Sequence, residues 1–236
     1  GVGPGDVFLF FGWFRDVEQA GGAWRFRPGG RNVHAFFGWL QVAEVVRLPE
    51  GSAGEWAAHP WLEGHPHVMR GPEPGNRVYV ASERLVLPGI ADVGLPGWGR
   101  IAGLSQRTTL TAPGASTRSA WRLPDFFSPA RGAPLSYHGL PDRWSRDGDH
   151  VLLRSVSRGQ EFVLDCDGRP EASRWIASIA SAAARSGTGR GDGNGRSRKA
   201  CRGMDPILPC HVQGSPDGGT HEGKGFQGPH RETGWR

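Results

Sequence analysis

Residues 7–14 read VFLFFGWF, a run with apolar side chains at both odd and even positions. Successive side chains of a strand point to opposite faces, so a strand of this kind has no face suited to water and belongs inside a sheet with neighbours around it. The preceding GVGPGD is a Gly/Pro turn, which predicts a strand over about residues 6–15. The chain begins at Gly1 and enters this strand at once, so an upstream segment is expected to supply part of its cover.

A second long strand is predicted over HAFFGWLQVAEVVRL, residues 34–48. Strict alternation puts His34, Phe36, Leu40, Val42 and Val46 on one face and Phe37, Trp39, Gln41 and Val45 on the other. Gly38 within it marks a bulge or a close backbone approach. The polar EQAGGAWRFRPGGRN between the two strands is expected to be a loop, as is the Pro-, Gly-, His- and Trp-rich stretch 49–76. Further strands are predicted at 77–87, 107–111, 151–156 and 161–165, whereas 121–144 mixes aromatics with Pro and is not assigned. Ala172, Trp175, Ile176, Ile179, Ala180 and Ala183 recur at helical spacing behind Pro170, predicting one helix over about 170–184 that sets Trp175 and Ile179 on the sheet.

Ten Trp and eleven Phe beside 38 Gly and 19 Pro agree with short strands and many turns. The expected fold class is α+β, predominantly β: a mixed or antiparallel sheet, or a small barrel, with a C-terminal amphipathic helix. From Ser186 the sequence turns to Gly, Ser, Arg and Pro with few clustered apolar residues, and residues 186–236 are expected to be a disordered tail beside one domain over 1–185.

The net charge of +5 suggests a polyanion partner, but it is shared unevenly. Residues 1–185 carry 20 Arg against 18 acidic residues, and the tail carries 8 basic against 5 acidic, so charge alone does not define a phosphate-binding body. Three cysteines, Cys166, Cys201 and Cys210, make no disulfide framework. With no signal-type segment and no apolar run long enough to span a bilayer, a cytoplasmic protein without a membrane is the default.

His65-Pro66-His67, if extended, sets two imidazoles on one side about 6–7 Å apart, with His34, His59 or His138 as further ligands. Histidines in aromatic, Pro-rich loops more often pack and hydrogen-bond, so no metal site is assigned. In RGQEFVLD, residues 158–165, alternation puts Phe162 and Leu164 on the core face and Glu161, Val163 and Asp165 opposite. Glu161 and Asp165 then stand about 13 Å apart, too far to share a proton. Arg158 offers a fork of donors for phosphate and Gln160 a donor and acceptor for a base edge; a surface ion pair at a strand end is the alternative. Tyr137-His138, with Trp121 and Trp144, combines a general acid or base with platforms for base stacking, though aromatics of this kind also build cores. There is no GxxxxGK[ST], no helix-opening GxGxxG, no GxSxG and no HxE with PCxxC, which disfavours a nucleoside triphosphatase or a zinc deaminase.

The stretches GVGPGDVFLFFGWFR, VHAFFGWLQVAEVV, HPHV, NRVYVASERLVL, LTAPGASTRSAWRLPDFF, LSYH and RGQEFVLD, in this order over residues 1–165, resemble the nucleotide modification associated domain 3 family. The resemblance implies a role in nucleotide or DNA-base modification, with a nucleic acid or nucleotide as substrate. It names neither reaction nor cofactor. Members also share an upstream Ser-Arg-Lys-Gly-x-Asp-Ser type stretch without counterpart here, so an enzymatic activity that depends on it needs the longer chain. Gly5-Asp6-Val7-Phe8 and Gly38-Trp39-Leu40-Gln41-Val42 are similar to the PUA-like domains, including the EVE and ASCH groups, which implies the small-barrel alternative and a non-catalytic module that binds modified bases. A fragment without activity is the third alternative. On the first of these, the expected site is a polar, aromatic-lined pocket with His138, Glu161 and His67 in catalytic roles and His34, Gln41, Tyr137, Arg158 and Gln160 binding substrate.

Overall fold

The computed structural model describes residues 1–48, 58–69, 75–132, 135–156 and 162–185. Five of the sequence expectations fall wholly or partly outside them: the 49–76 loop in part, the tail, and Arg158, Gln160 and Glu161.

The described chain is mostly strand, and its one long helix, α2 (Pro170–Arg185), lies at the C-terminal end. β1 (Val7–Arg15) pairs antiparallel along its whole length with β4 (Asn32–Arg47). The opposite edge of β4 takes three partners in succession: residues 108–111 through the Ala35–Thr109 bridge, β6 (Trp98–Arg100) at Gly38–Leu40, and β5 (Arg77–Ala81) at Val42–Arg47. A bridge from Thr111 to Trp121 leads on to β7 (Ala120–Pro124), which pairs with β9 (His150–Arg154), which pairs with β8 (Trp144–Asp147). All of this pairing is antiparallel, and β4 is its spine.

Bulges in β4 overturn the strict alternation expected of it. Phe10 opposes Gly38 but Phe11 opposes Phe36, so Phe37 is an extra residue and the side chains from Gly38 to Val42 change face, until a second shift between Val42 and Glu44 reverses the parity again. β1 keeps its period, and Phe11, Leu9 and Val7 face Phe36, Trp39 and Gln41 respectively. Trp39 therefore joins Phe36 in the main core, contrary to the expected split. Phe37 turns to the other face, where its ring meets Phe10 and Phe14. A Cβ at Gly38 would lie 2.9 Å from the carbonyl oxygen of Gly99, so Gly38 serves a close approach beside the bulge.

The predicted loop after β1 is instead a hairpin, β2 (Val17–Ala20) and β3 (Ala23–Phe26), closed by Gly21 and Gly22 at φ 59° and 81°. Two consecutive positive φ values define a two-residue turn whose twist matches a hairpin. The 77–87 strand ends early, at Ala81, and 162–165 is not a strand although Phe162 and Leu164 do pack on the core.

α2 behaves as its periodicity predicts. Ile179 is fully buried, and the Trp175 ring stands edge-on to Phe36, Phe126 and Phe127. A second, smaller core of Val46, Leu48, Leu62 and Val78 lies at the far end of β4.

Candidate functional site

His34 sits near the start of β4 on the core face, opposite Trp13 of β1. Its backbone N–H donates to the Thr111 hydroxyl (2.8 Å), which in turn donates to the carbonyl of Arg118 (2.7 Å), tying β4 to the loop before β7. The Trp121 indole donates from Nε1 to His34 Nδ1 at 3.0 Å. An indole N–H can only donate, so Nδ1 is an acceptor and the neutral His34 ring carries its proton on Nε2. Burial, and then the positive charge of Arg118, push the His34 pKa below the ordinary histidine value. The ring is thus held neutral, with an Nε2–H donor that has no hydrogen-bond partner among the described residues.

Around His34 the aromatics form one cluster. Phe11 stands 5.2 Å from Trp121 and 5.8 Å from both His34 and Phe162, and Phe162 stands 4.8 Å from His138. His138 is fully buried: Nδ1 donates to the Ser136 carbonyl at 2.7 Å and Nε2 accepts from the Val156 N–H at 3.2 Å. Burial lowers its pKa; the Ser136 bond opposes this and Arg143 adds to it. The structure therefore brings His34 and His138 into one aromatic cluster, with the Val156 N–H bonded to His138 and the Phe162 ring against Phe11 and Trp121; residues 157–161 are the segment between these two in sequence. Arg158, Gln160 and Glu161 lie in that segment, outside the described residues. The buried Ser155 hydroxyl beside it has no hydrogen-bond partner among the described residues.

Tyr137 is 66% exposed and holds φ at 65°, the sole positive value at a non-glycine residue among those described. A bulky side chain in the left-handed region costs energy that its surroundings must offset, here by the turn that His138 closes onto Leu135 (3.0 Å).

Gln41 shares the core face of β4 but its amide is committed. Nε2 donates to the carbonyls of Gly5 (3.1 Å) and Val86 (2.7 Å), and Oε1 accepts from the Val86 N–H (2.8 Å) and the Ser82 hydroxyl (3.3 Å). It holds two loops against the sheet.

His67 lies elsewhere, beside the second core. Pro66–Met69 form one helical turn, α1, so His65 and His67 are not in extended backbone, and their rings stand 5.4 Å apart. The Asn76 amide donates to the His67 carbonyl (3.0 Å), which fixes its oxygen toward His67 Nδ1 (2.6 Å) and so makes Nδ1 the protonated nitrogen. His65 Nδ1 accepts from the His67 N–H (3.2 Å), leaving a buried Nε2–H without a partner among the described residues. Among those residues no group of three or more His, Cys, Asp or Glu is placed to hold a metal ion.

Sequence reasoning missed Arg118 and Trp13. The Arg118 guanidinium lies 4.2 Å over the Trp13 ring, and Trp13 is the register partner of His34. The signal was present in STRSAW, a lone Arg two residues before a strand, but nothing in it points to a residue 105 positions earlier in the chain.

Residues 1–165 match the model of a family described as nucleotide modification associated domain 3. No curated protein and no solved structure matches the chain. No helix among the described residues is long and apolar enough to cross a membrane.

Proposed function

Because the chain belongs to the nucleotide modification associated domain 3 family, we propose that it acts on the base of a nucleotide or nucleic acid at the aromatic cluster around His34. The observation that carries this is the bond from Trp121 Nε1 to His34 Nδ1. It presets a neutral imidazole whose Nε2–H can donate to a base carbonyl or ring nitrogen, and a donor whose tautomer is fixed in advance discriminates better than one free to change it. Arg118 supplies the adjacent positive charge for a phosphate, and Tyr137 an exposed ring for stacking.

In this proposal Arg158 and Gln160 contact phosphate and base edge, and Glu161 is the acid or base. His138 and Gln41 act through position: one fixes the wall that carries Phe162 and Val156, the other the loops at residues 5 and 86. His67 lies in a separate cluster and enters the proposal only if substrate spans both.

The test expresses the full chain, its His34→Ala variant and its Glu161→Gln variant in cells and analyses total DNA, RNA and free nucleosides by mass spectrometry. A nucleoside present with the unaltered chain and absent with both variants is the expected result. Identical nucleoside profiles in all three would refute the assignment of a modifying site here. A second reading, recognition without turnover, is favoured by the way both imidazoles of the cluster are held neutral by an indole and by backbone. It predicts preferential binding to modified over plain DNA, with shallow salt dependence and no new nucleoside.

A further inference from the structure

We propose that the β2–β3 hairpin and the adjoining end of β1 form a stacking surface for an unpaired nucleic-acid strand. The hairpin turns one face, Val17, Gln19, Trp24 and Phe26, to solvent: Trp24 is 72% exposed, Phe26 55% and Val17 51%. Isolated two-stranded hairpins are marginal in water, and a large aromatic left this open on one does not serve the core.

Two arginines extend these rings into a ladder. Arg118 stacks on Trp13 at 4.2 Å, and Arg15 lies 5.9 Å from the same Trp13 ring and 3.8 Å from Phe26. Charge and ring thus alternate as Arg118, Trp13, Arg15, Phe26, with Trp24 beyond. Arg25 and Arg31 are neutralised by Glu18 (2.7 Å) and Asp16 (3.0 Å), whereas Arg15 and Arg118 have no carboxylate partner among the described residues. A ladder of ring faces and uncompensated guanidinium groups fits a partner carrying both phosphates and accessible base faces. A duplex has the first without the second.

Trp13 pairs in register with His34, and the Thr111 hydroxyl ties Arg118 to the same residue, so a strand on the ladder would present a base to the His34 cluster. This last step rests on the proposed function; the stacking surface does not.

The experiment measures fluorescence anisotropy of a labelled twelve-nucleotide DNA strand, its duplex and the same sequence as RNA with the full chain at about 0.15 M salt, with anionic phosphatidylserine vesicles as competitor. Single strands should bind at least about tenfold more tightly than the duplex. Trp24→Ala should weaken strand binding by roughly 5-fold to 150-fold, the range for one lost stacked base. Arg15→Gln with Arg118→Gln should reduce the salt slope by about 1.4. Trp24 is exposed enough that its variant keeps the fold, which circular dichroism checks. Equal binding of strand and duplex, an unchanged Trp24→Ala affinity, or complete displacement by vesicles overturns the proposal. Strand binding through Trp24 without any new nucleoside leaves it standing while the modifying function fails; a modified nucleoside that survives loss of Trp24 and Phe26, with no strand binding, sinks it alone.

Discussion

The indole of Trp121 donates to Nδ1 of His34 across 87 residues of sequence, at 3.0 Å and out of contact with water. The bond sets the tautomer of an imidazole that has no carboxylate partner among the described residues. Trp121→Phe should cost about 1–3 kcal/mol, because Nδ1 is left buried and unsatisfied, and it should free His34 to carry its proton on either nitrogen. Nitrogen-15 chemical shifts of the His34 ring report this directly. Shifts unchanged from the unaltered chain would mean that Trp121 does not govern the tautomer.

Gln41 is expected to matter more for stability than for chemistry. Gln41→Leu keeps the volume but strips partners from the Gly5 and Val86 carbonyls and the Val86 N–H. Gly5 and Val86 are exposed residues and the three bonds are only partly buried, so water offsets part of the penalty and a loss of about 1–3 kcal/mol is expected in urea unfolding. A change below about 1 kcal/mol would show that water replaces the amide at no cost.

How much of this was legible in the sequence depends on range. β1, β4 and α2 were readable because their apolar patterns are long, and the Gly38 signal was read correctly as local. The face of Trp39 was not, since one extra residue at Phe37 reverses parity and no residue type marks a bulge uniquely. The hairpin was hidden by its charge: Val17, Gln19, Trp24 and Phe26 alternate around Gly21-Gly22, but their apolar face looks outward, so the pattern that betrays a buried strand is absent. The residue types of His65-Pro66-His67 suit extended backbone, but a Pro at the first position of a turn serves α1 equally well. The His34 and Trp121 pairing, like the Arg118 contact, comes from sheet topology that links residues 108–111 to both β4 and β7.

Gly99 gives a steric prediction. A Cβ there would fall 2.2 Å from the Trp39 ring, and Trp39 is held by its own bond from Nε1 to the Pro96 carbonyl (3.2 Å). Gly99→Ala must displace the indole or β6, at a cost of about 1–3 kcal/mol. Gly103→Ala, where nothing lies within 4 Å, is the control and should stay within about 0.5 kcal/mol of the unaltered chain. Equal stability of the two variants in thermal unfolding would refute the close contact.

The buried imidazoles predict how stability depends on pH. His34, His65 and His138 all have lowered pKa values, in each case first through burial; Arg118 adds to it at His34, the neighbouring His67 at His65, and at His138 the Ser136 bond partly opposes it. Unfolding returns each ring to an ordinary value of about 6.5. Below that pH the unfolded chain binds protons that the folded chain refuses, so unfolding is favoured by acid. The stability these groups contribute is fully present above about pH 6.5 and is lost as pH falls from there through the lowered folded values. The carboxylates of Asp16, Asp92, Asp149 and Glu171 are also lowered, but from values near 4, so their effect lies in a separate, more acidic window. Urea midpoints measured from pH 8 to pH 5 should therefore hold level at the upper end and fall below about 6.5, with the three rings titrating below the ordinary histidine value in the folded protein. Midpoints that stay level down to pH 5, or rings that titrate at the ordinary value while the protein remains folded, would show that burial does not hold these histidines neutral and that His34 is not the preset neutral donor proposed.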